Sequence, residues 1–194
     1  MFELQACVAR QWTPQIGDPA LTGWLTVASY GAAALLSIAV WRQMKHQRGR
    51  AFWGILIAVL VFLALNKQLD LQSALTAAGR CLSRTQGWYD NRRMVQEAFI
   101  GTLLGVLVLG MIVAMLALRG SLGRNLPALL GLVVVLGFVM VRAASFHQFD
   151  HLIGARSLGV SNNFLFENAG LLLISLNAVL HLRRQARPQR MHRA

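Results

Sequence analysis

The amino-acid sequence predicts an all-α, multi-pass membrane bundle of five transmembrane helices, with its N-terminus outside and its C-terminus in the cytoplasm. Three observations carry that prediction. Of 194 residues, 56% are hydrophobic and only 13% charged, against roughly 25% charged in a soluble domain, so too few charges remain to cover a water-facing surface. The mean hydropathy of +0.50 is concentrated in long apolar runs, and about 20 such residues cross a hydrocarbon core of about 30 Å as a helix. The basic residues, finally, crowd into three short segments between or beyond those runs. The runs are too long and too uniformly apolar for membrane strands, which alternate with a period of two.

Taken in order, the spans are expected at about residues 21–41, 52–69, 99–118, 127–146 and 164–182, within a single membrane domain covering 1–194. The first 20 residues hold Glu3, Asp18 and two prolines and lack an apolar core, so the first span acts as the insertion signal. The second span runs on into "LNKQLDLQSALTAAGR", where apolar Leu69, Leu71 and Leu75 continue past the polar residues. Its helix is therefore expected to emerge into the interface and bend near Gly79. The third span holds Gly101, Gly105 and Gly110, a small-residue spacing that lets helices approach closely. Pro127 suits the first turn of the fourth span, where a missing N–H is harmless. Asn162 and Asn163 are placed to cap the fifth.

Orientation follows from charge. Segment 42–50, "RQMKHQRGR", the 119–126 loop and the tail after Leu182 lie on one side of a five-span chain and hold 11 of the 19 basic residues. All seven acidic residues fall on the other side or at its rim. The basic side is cytoplasmic by the positive-inside rule. The net charge of +12 thus belongs to juxtamembrane segments that anchor on anionic lipid heads, and no nucleic-acid motif accompanies it. Cys7 and Cys81 share the outer side, where an oxidising compartment allows a disulfide; two unpaired thiols are the alternative.

Helical rise turns scattered polar residues into a constellation. At 1.5 Å per residue, Lys67, Arg142 and Glu167 each lie roughly 22–24 Å from the cytoplasmic start of their spans. Asp70 and His147 lie one turn further out, with Asp150 and His151 beyond. Both signs of charge at one depth point to pairing inside the bundle, because a charge facing lipid costs about 2.5–3.5 kcal/mol near mid-membrane. Lys67 has Asp70 three residues away on its own helix, and Arg142 has Glu167 as its natural partner. Lys67, Asp70, Arg92, Arg142, Glu167 and Asn168 are accordingly the candidate binding residues. Arg92 lies in the outer loop "RTQGWYDNRRMVQEAF", where it and Arg93 suit an anionic headgroup; Trp88 and Tyr89 suit an aromatic belt. Glu97, at the start of the third span, is placed to face the same cavity. Asn177 is deeper and suits a hydrogen bond between helices.

In "VRAASFHQFDHLIG", His147 and His151 are one helical turn apart with Asp150 between them. Two imidazoles and a carboxylate suit a divalent metal such as zinc, and Asp70 or Glu167 are the candidate catalytic carboxylates if such a metal activates water. Histidines bonded to headgroups or to Asp150 are the plainer reading. "LNKQLDLQ", "GWYDNRR", "RAASFHQFDH" and "NNFLFENAG" together resemble the motifs of a group of uncharacterised bacterial inner-membrane proteins of similar length. That resemblance implies the membrane location and carries over no catalytic residue. The H-x-x-x-H with dispersed carboxylates is also similar to seven-helix metal-dependent membrane hydrolases such as alkaline ceramidases, but this chain has too few spans for that fold.

Three functions stay open on the sequence. The first is a binding or accessory subunit of a membrane complex, or a lipid-headgroup binder, with membrane lipids and protein subunits as its partners. The alternative is a metal-dependent membrane enzyme acting on a lipid-linked substrate at the outer leaflet. A transporter ranks third, since the charged residues stay at one end and no broken helix crosses the middle.

Overall fold

The computed structural model describes residues 2–13, 16–45, 47, 49–87, 89–144, 156–157 and 160–191. Among them are seven α-helices: α1 (Phe2–Gln11), α2 (Leu21–Gln43), α3 (Arg50–Leu69), α4 (Leu71–Thr85), α5 (Arg92–Ala117), α6 (Leu122–Ala144) and α7 (Asn162–Met191). A short 3-10 turn, Tyr89–Asn91, precedes α5, and a two-residue antiparallel pairing of Arg156–Ser157 with Val160–Ser161 leads into α7. Five helices are long and apolar enough to cross a membrane: Leu21–Gln43, Arg50–Leu69, Glu97–Ala117, Leu122–Met140 and Phe164–Gln185. The five expected spans therefore recur as helices, close to their expected positions.

Two helix boundaries differ from expectation. α6 begins at Leu122, so Pro127 lies inside it and leaves the carbonyl of Gly123 without its helical donor. The earlier start comes from Ser121, whose carbonyl accepts from both the backbone N–H (3.3 Å) and the side-chain Nδ2 (3.0 Å) of Asn125. The second difference is the break after α3. It falls at Asp70, with φ 47° and ψ 47°, while Gly79 lies within the unbroken helix α4.

The core forms where α2, α3, α6 and α7 meet. Tyr30, Trp53, Leu56, Leu60, Val135, Leu171 and Ile174 are fully buried there. α6 and α7 cross at a pair of glycines: a Cβ on Gly131 would stand 2.5 Å from the Gly170 carbonyl oxygen, and one on Gly170 2.8 Å from that of Gly131. Backbone lies against backbone at that crossing, the packing that small residues permit between apolar helices. α5 is peripheral. No residue of its most apolar window is buried, and Gly101, Gly105 and Gly110 have open space where a Cβ would be. The glycines of the third span thus take no part in the packing within the described chain, because α5 meets the core only near its end, through Met111 and Ala114.

A polar network ties the far end of the core together. The Trp53 indole N–H donates to Asn125 Oδ1 (3.1 Å), and Asn177 Nδ2 donates to the Arg124 carbonyl (2.8 Å). His181 stands edge-on to Trp53, with ring centroids 5.6 Å apart. Asn177 makes the interhelical bond expected of it. These bonds lock α3, α6 and α7 at the end carrying Arg50, Arg124 and Arg183; the opposite end carries Asp70 and Glu167.

Candidate functional site at the acidic end of the bundle

Tyr30 on α2, Lys67 on α3 and Glu167 on α7 meet at one level. Lys67 Nζ donates to Glu167 Oε2 at 2.7 Å, and Tyr30 Oη donates to Oε1 at 2.9 Å. The Lys67 and Glu167 side chains are only 7% and 4% exposed. Near-complete burial makes the pair an all-or-nothing element: each charge is tolerated only because the other is present. One residue on, Asn168 Nδ2 reaches Thr26 Oγ1 on α2 (3.1 Å) and the Phe164 carbonyl (2.8 Å). The α2–α7 seam therefore carries two successive polar crosslinks.

Lys67 does not pair with Asp70 as the spacing within one helix predicted. That pairing needs the helix to continue, and it ends at Leu69. Asp70 is the single non-glycine residue with positive φ among the described residues, a strained conformation that aspartate tolerates better than most. The N-terminal segment accounts for the break. Gly17 donates its N–H to the Gln68 carbonyl (2.9 Å), supplying a donor at the end of α3. It lies so close that a Cβ there would stand 2.8 Å from the Lys67 carbonyl oxygen. Asp70 in turn starts α4, its carbonyl accepting from the N–H groups of Ser73 and Ala74.

Lys67, Asp70, Glu167, Tyr30 and Asn66 line a cavity of about 30 Å³. A single water needs about 10–15 Å³ measured that way, so the space admits a water or two and no headgroup. Glu97 is exposed on α5 and does not line it. Glu167 is bonded to Lys67 and Tyr30; the expected pairing with Arg142 involves a side chain that lies outside the described residues. The side chain of Arg92 lies outside them too, as do His147, Asp150 and His151 entirely. Among the described residues no group of three or more histidine, cysteine or carboxylate side chains is gathered to hold a metal.

Cys7 and Cys81 form a disulfide, with Cα atoms 6.0 Å apart. It staples α1 to α4, and Cys81 is fully buried in that contact. Of the two states the sequence left open, the bonded one is present.

The larger hollow lies on the outward side of the same α2–α7 seam. It is an open groove of about 450 Å³, within the roughly 300–1,000 Å³ of small-molecule sites. Small residues (Ser29, Ala32, Ala169, Ser175) form its floor between Phe164, Leu165 and Leu172. Its polar groups are largely spent inside the protein: Ser29 Oγ donates to the Leu25 carbonyl at 3.0 Å, and Asn168 makes the bonds given above. The surface left to the groove is mostly apolar. Sequence reasoning picked out Asn168 but not the groove, whose signal is the set of small residues on two facing helices. Comparison with protein-family models, curated proteins and solved structures returned no match.

Proposed function

We propose that the chain is a multi-pass inner-membrane protein that binds a lipid at its periplasmic half, as a binding or accessory component of that membrane. The observation that carries this reading is the two-sided α2–α7 seam. Its inner side is cross-linked by the buried Lys67–Glu167–Tyr30 cluster, and its outer side offers an apolar groove wide enough for a hydrocarbon chain. The cluster's cavity is too small for a substrate, so its part is to hold the seam's shape while the groove does the binding. The orientation rests on the positive-inside distribution. The disulfide supports it independently, since such bonds persist in oxidising compartments and this one joins two segments assigned to the outer side.

Orientation has a direct test. An impermeant maleimide should leave intact spheroplasts unlabelled until a reductant opens Cys7–Cys81, and label them afterwards. Labelling that requires breaking the membrane would reverse the orientation.

Binding is tested by filling the groove. Ala32 and Ala169 are exposed in it, so Ala169→Phe and Ala32→Phe occupy the space without displacing core atoms and should change thermal stability by no more than about 0.5 kcal/mol. Native mass spectrometry from mild detergent should show retained lipid on the wild type and at least a tenfold lower bound fraction on each variant. Equal retention in wild type and both variants would remove the groove as the site.

A further inference from the structure

We propose that α4 is an interfacial helix, seated in the outer leaflet by a leucine stripe, with its arginines turned toward the phosphate headgroups and water. This rests on the five-span reading and adds to it a second lipid contact, outside the groove.

Four observations converge on α4. At 100° per residue, Leu71, Leu75 and Leu82 fall within about 40° of one another, while Arg80 and Arg84 lie roughly 160° from that stripe. The stripe is not used inside the protein: Leu75 is 59% and Leu82 37% exposed. Nor does α1 cover it. The disulfide holds α1 against the flank of Ala77 and Cys81, which are buried, roughly 100–140° around from the leucines. Finally, α4 follows a membrane-length helix after one residue, Asp70, so it starts at the level where that helix leaves the hydrocarbon. An amphipathic helix with leucines on one face and arginines on the other, held at that level, has the lipid–water boundary as its neighbour. Arg80, Arg84 and Arg10 are all exposed at this end, a charge complement to lipid phosphates.

The test measures depth. The full chain, carrying one nitroxide label at a time through Leu75→Cys, Leu82→Cys, Arg80→Cys or Arg84→Cys, is reconstituted into vesicles of phosphatidylethanolamine and phosphatidylglycerol. Intact mass verifies that Cys7–Cys81 is retained, and collision with oxygen or a water-soluble nickel chelate reports immersion. Labels at 75 and 82 should lie about 5–10 Å deeper than those at 80 and 84. Should a leucine variant misfold, Ala78→Cys and Ser73→Cys repeat the comparison on the same two faces. A label at Leu109, mid-α5 and 63% exposed, separates the two readings. Oxygen-dominated collision at 109 with all α4 labels in water would overturn the interfacial assignment alone. Nickel-dominated collision at 109 would overturn the five-span reading, and this assignment with it.

Discussion

Replacing Glu167 by alanine is expected to destabilise the bundle by about 3–5 kcal/mol, the usual cost of stranding one member of a buried ion pair. Lys67 would be left with its side chain 7% exposed and its Nζ deprived of the 2.7 Å partner it has now. Tyr30 would lose its 2.9 Å bond to the Glu167 carboxylate as well. The same loss should follow Lys67→Ala, which strands the carboxylate instead. The double variant Lys67→Met with Glu167→Met removes both charges and keeps the volume, and should recover most of the stability, since apolar replacement of a buried pair is often neutral or better. Tyr30→Phe is the milder probe, expected to cost about 1.5–3 kcal/mol as a lost hydrogen bond to a charged group. Unfolding in mixed micelles measures all four. Single-variant losses under about 1 kcal/mol that simply add in the double variant would show that the pair does not hold the seam.

That cluster was half legible. Counting helical rise put Lys67 and Glu167 at one depth, because depth depends only on residue number along a regular helix. Partner choice depends on how each helix is rotated about its axis, and rotation is set by packing. Spacing within the helix offered Lys67 the carboxylate of Asp70, and depth offered Glu167 to Arg142, whose side chain lies outside the described residues. Tyr30 gave a fainter signal, one of several hydroxyls along α2, with Thr22, Thr26, Ser29 and Ser37, and which of them is used depends on what α7 brings opposite. The break at Asp70 was hidden for a related reason. Lys67 and Asp70 fit a continuing helix perfectly well, and what stops it is Gly17, some fifty residues earlier, donating to the Gln68 carbonyl. A local reading of "LNKQLDLQ" contains none of that. The disulfide was legible as a shared side and no further, since 74 residues separate the two cysteines and only the α1–α4 contact brings them together.

Glycine is where the sequence pattern and the packing part most clearly. The spaced glycines of α5 look like a helix-contact motif, yet the working contact uses one glycine from α6 and one from α7, with no repeat in either. Periodicity within a helix says where small residues line up; it does not say whether another helix lies across them.

The same substitution should therefore have opposite effects on the two sets. Gly170→Ala places a methyl group 2.6 Å from Val135 Cγ2 and 2.8 Å from the Gly131 carbonyl oxygen, and Gly131→Ala places one 2.5 Å from the Gly170 carbonyl. A carbonyl oxygen cannot rotate away as a side chain can, so α6 and α7 must separate. Overpacking commonly costs about 1–3 kcal/mol, and these variants should reach at least the top of that range. Glu167 lies one turn before Gly170 on α7, so displacement of the helix also strains the bonds to Lys67 and Tyr30. Gly101→Ala, Gly105→Ala and Gly110→Ala meet nothing within 4 Å and should stabilise α5 by about 0.5–1 kcal/mol each, the usual advantage of alanine over glycine inside a helix. Thermal unfolding of the five variants in one detergent decides the matter. Losses at positions 101 and 105 as large as those at 131 and 170 would mean that a helix from another chain packs across the α5 glycines in the assembled protein.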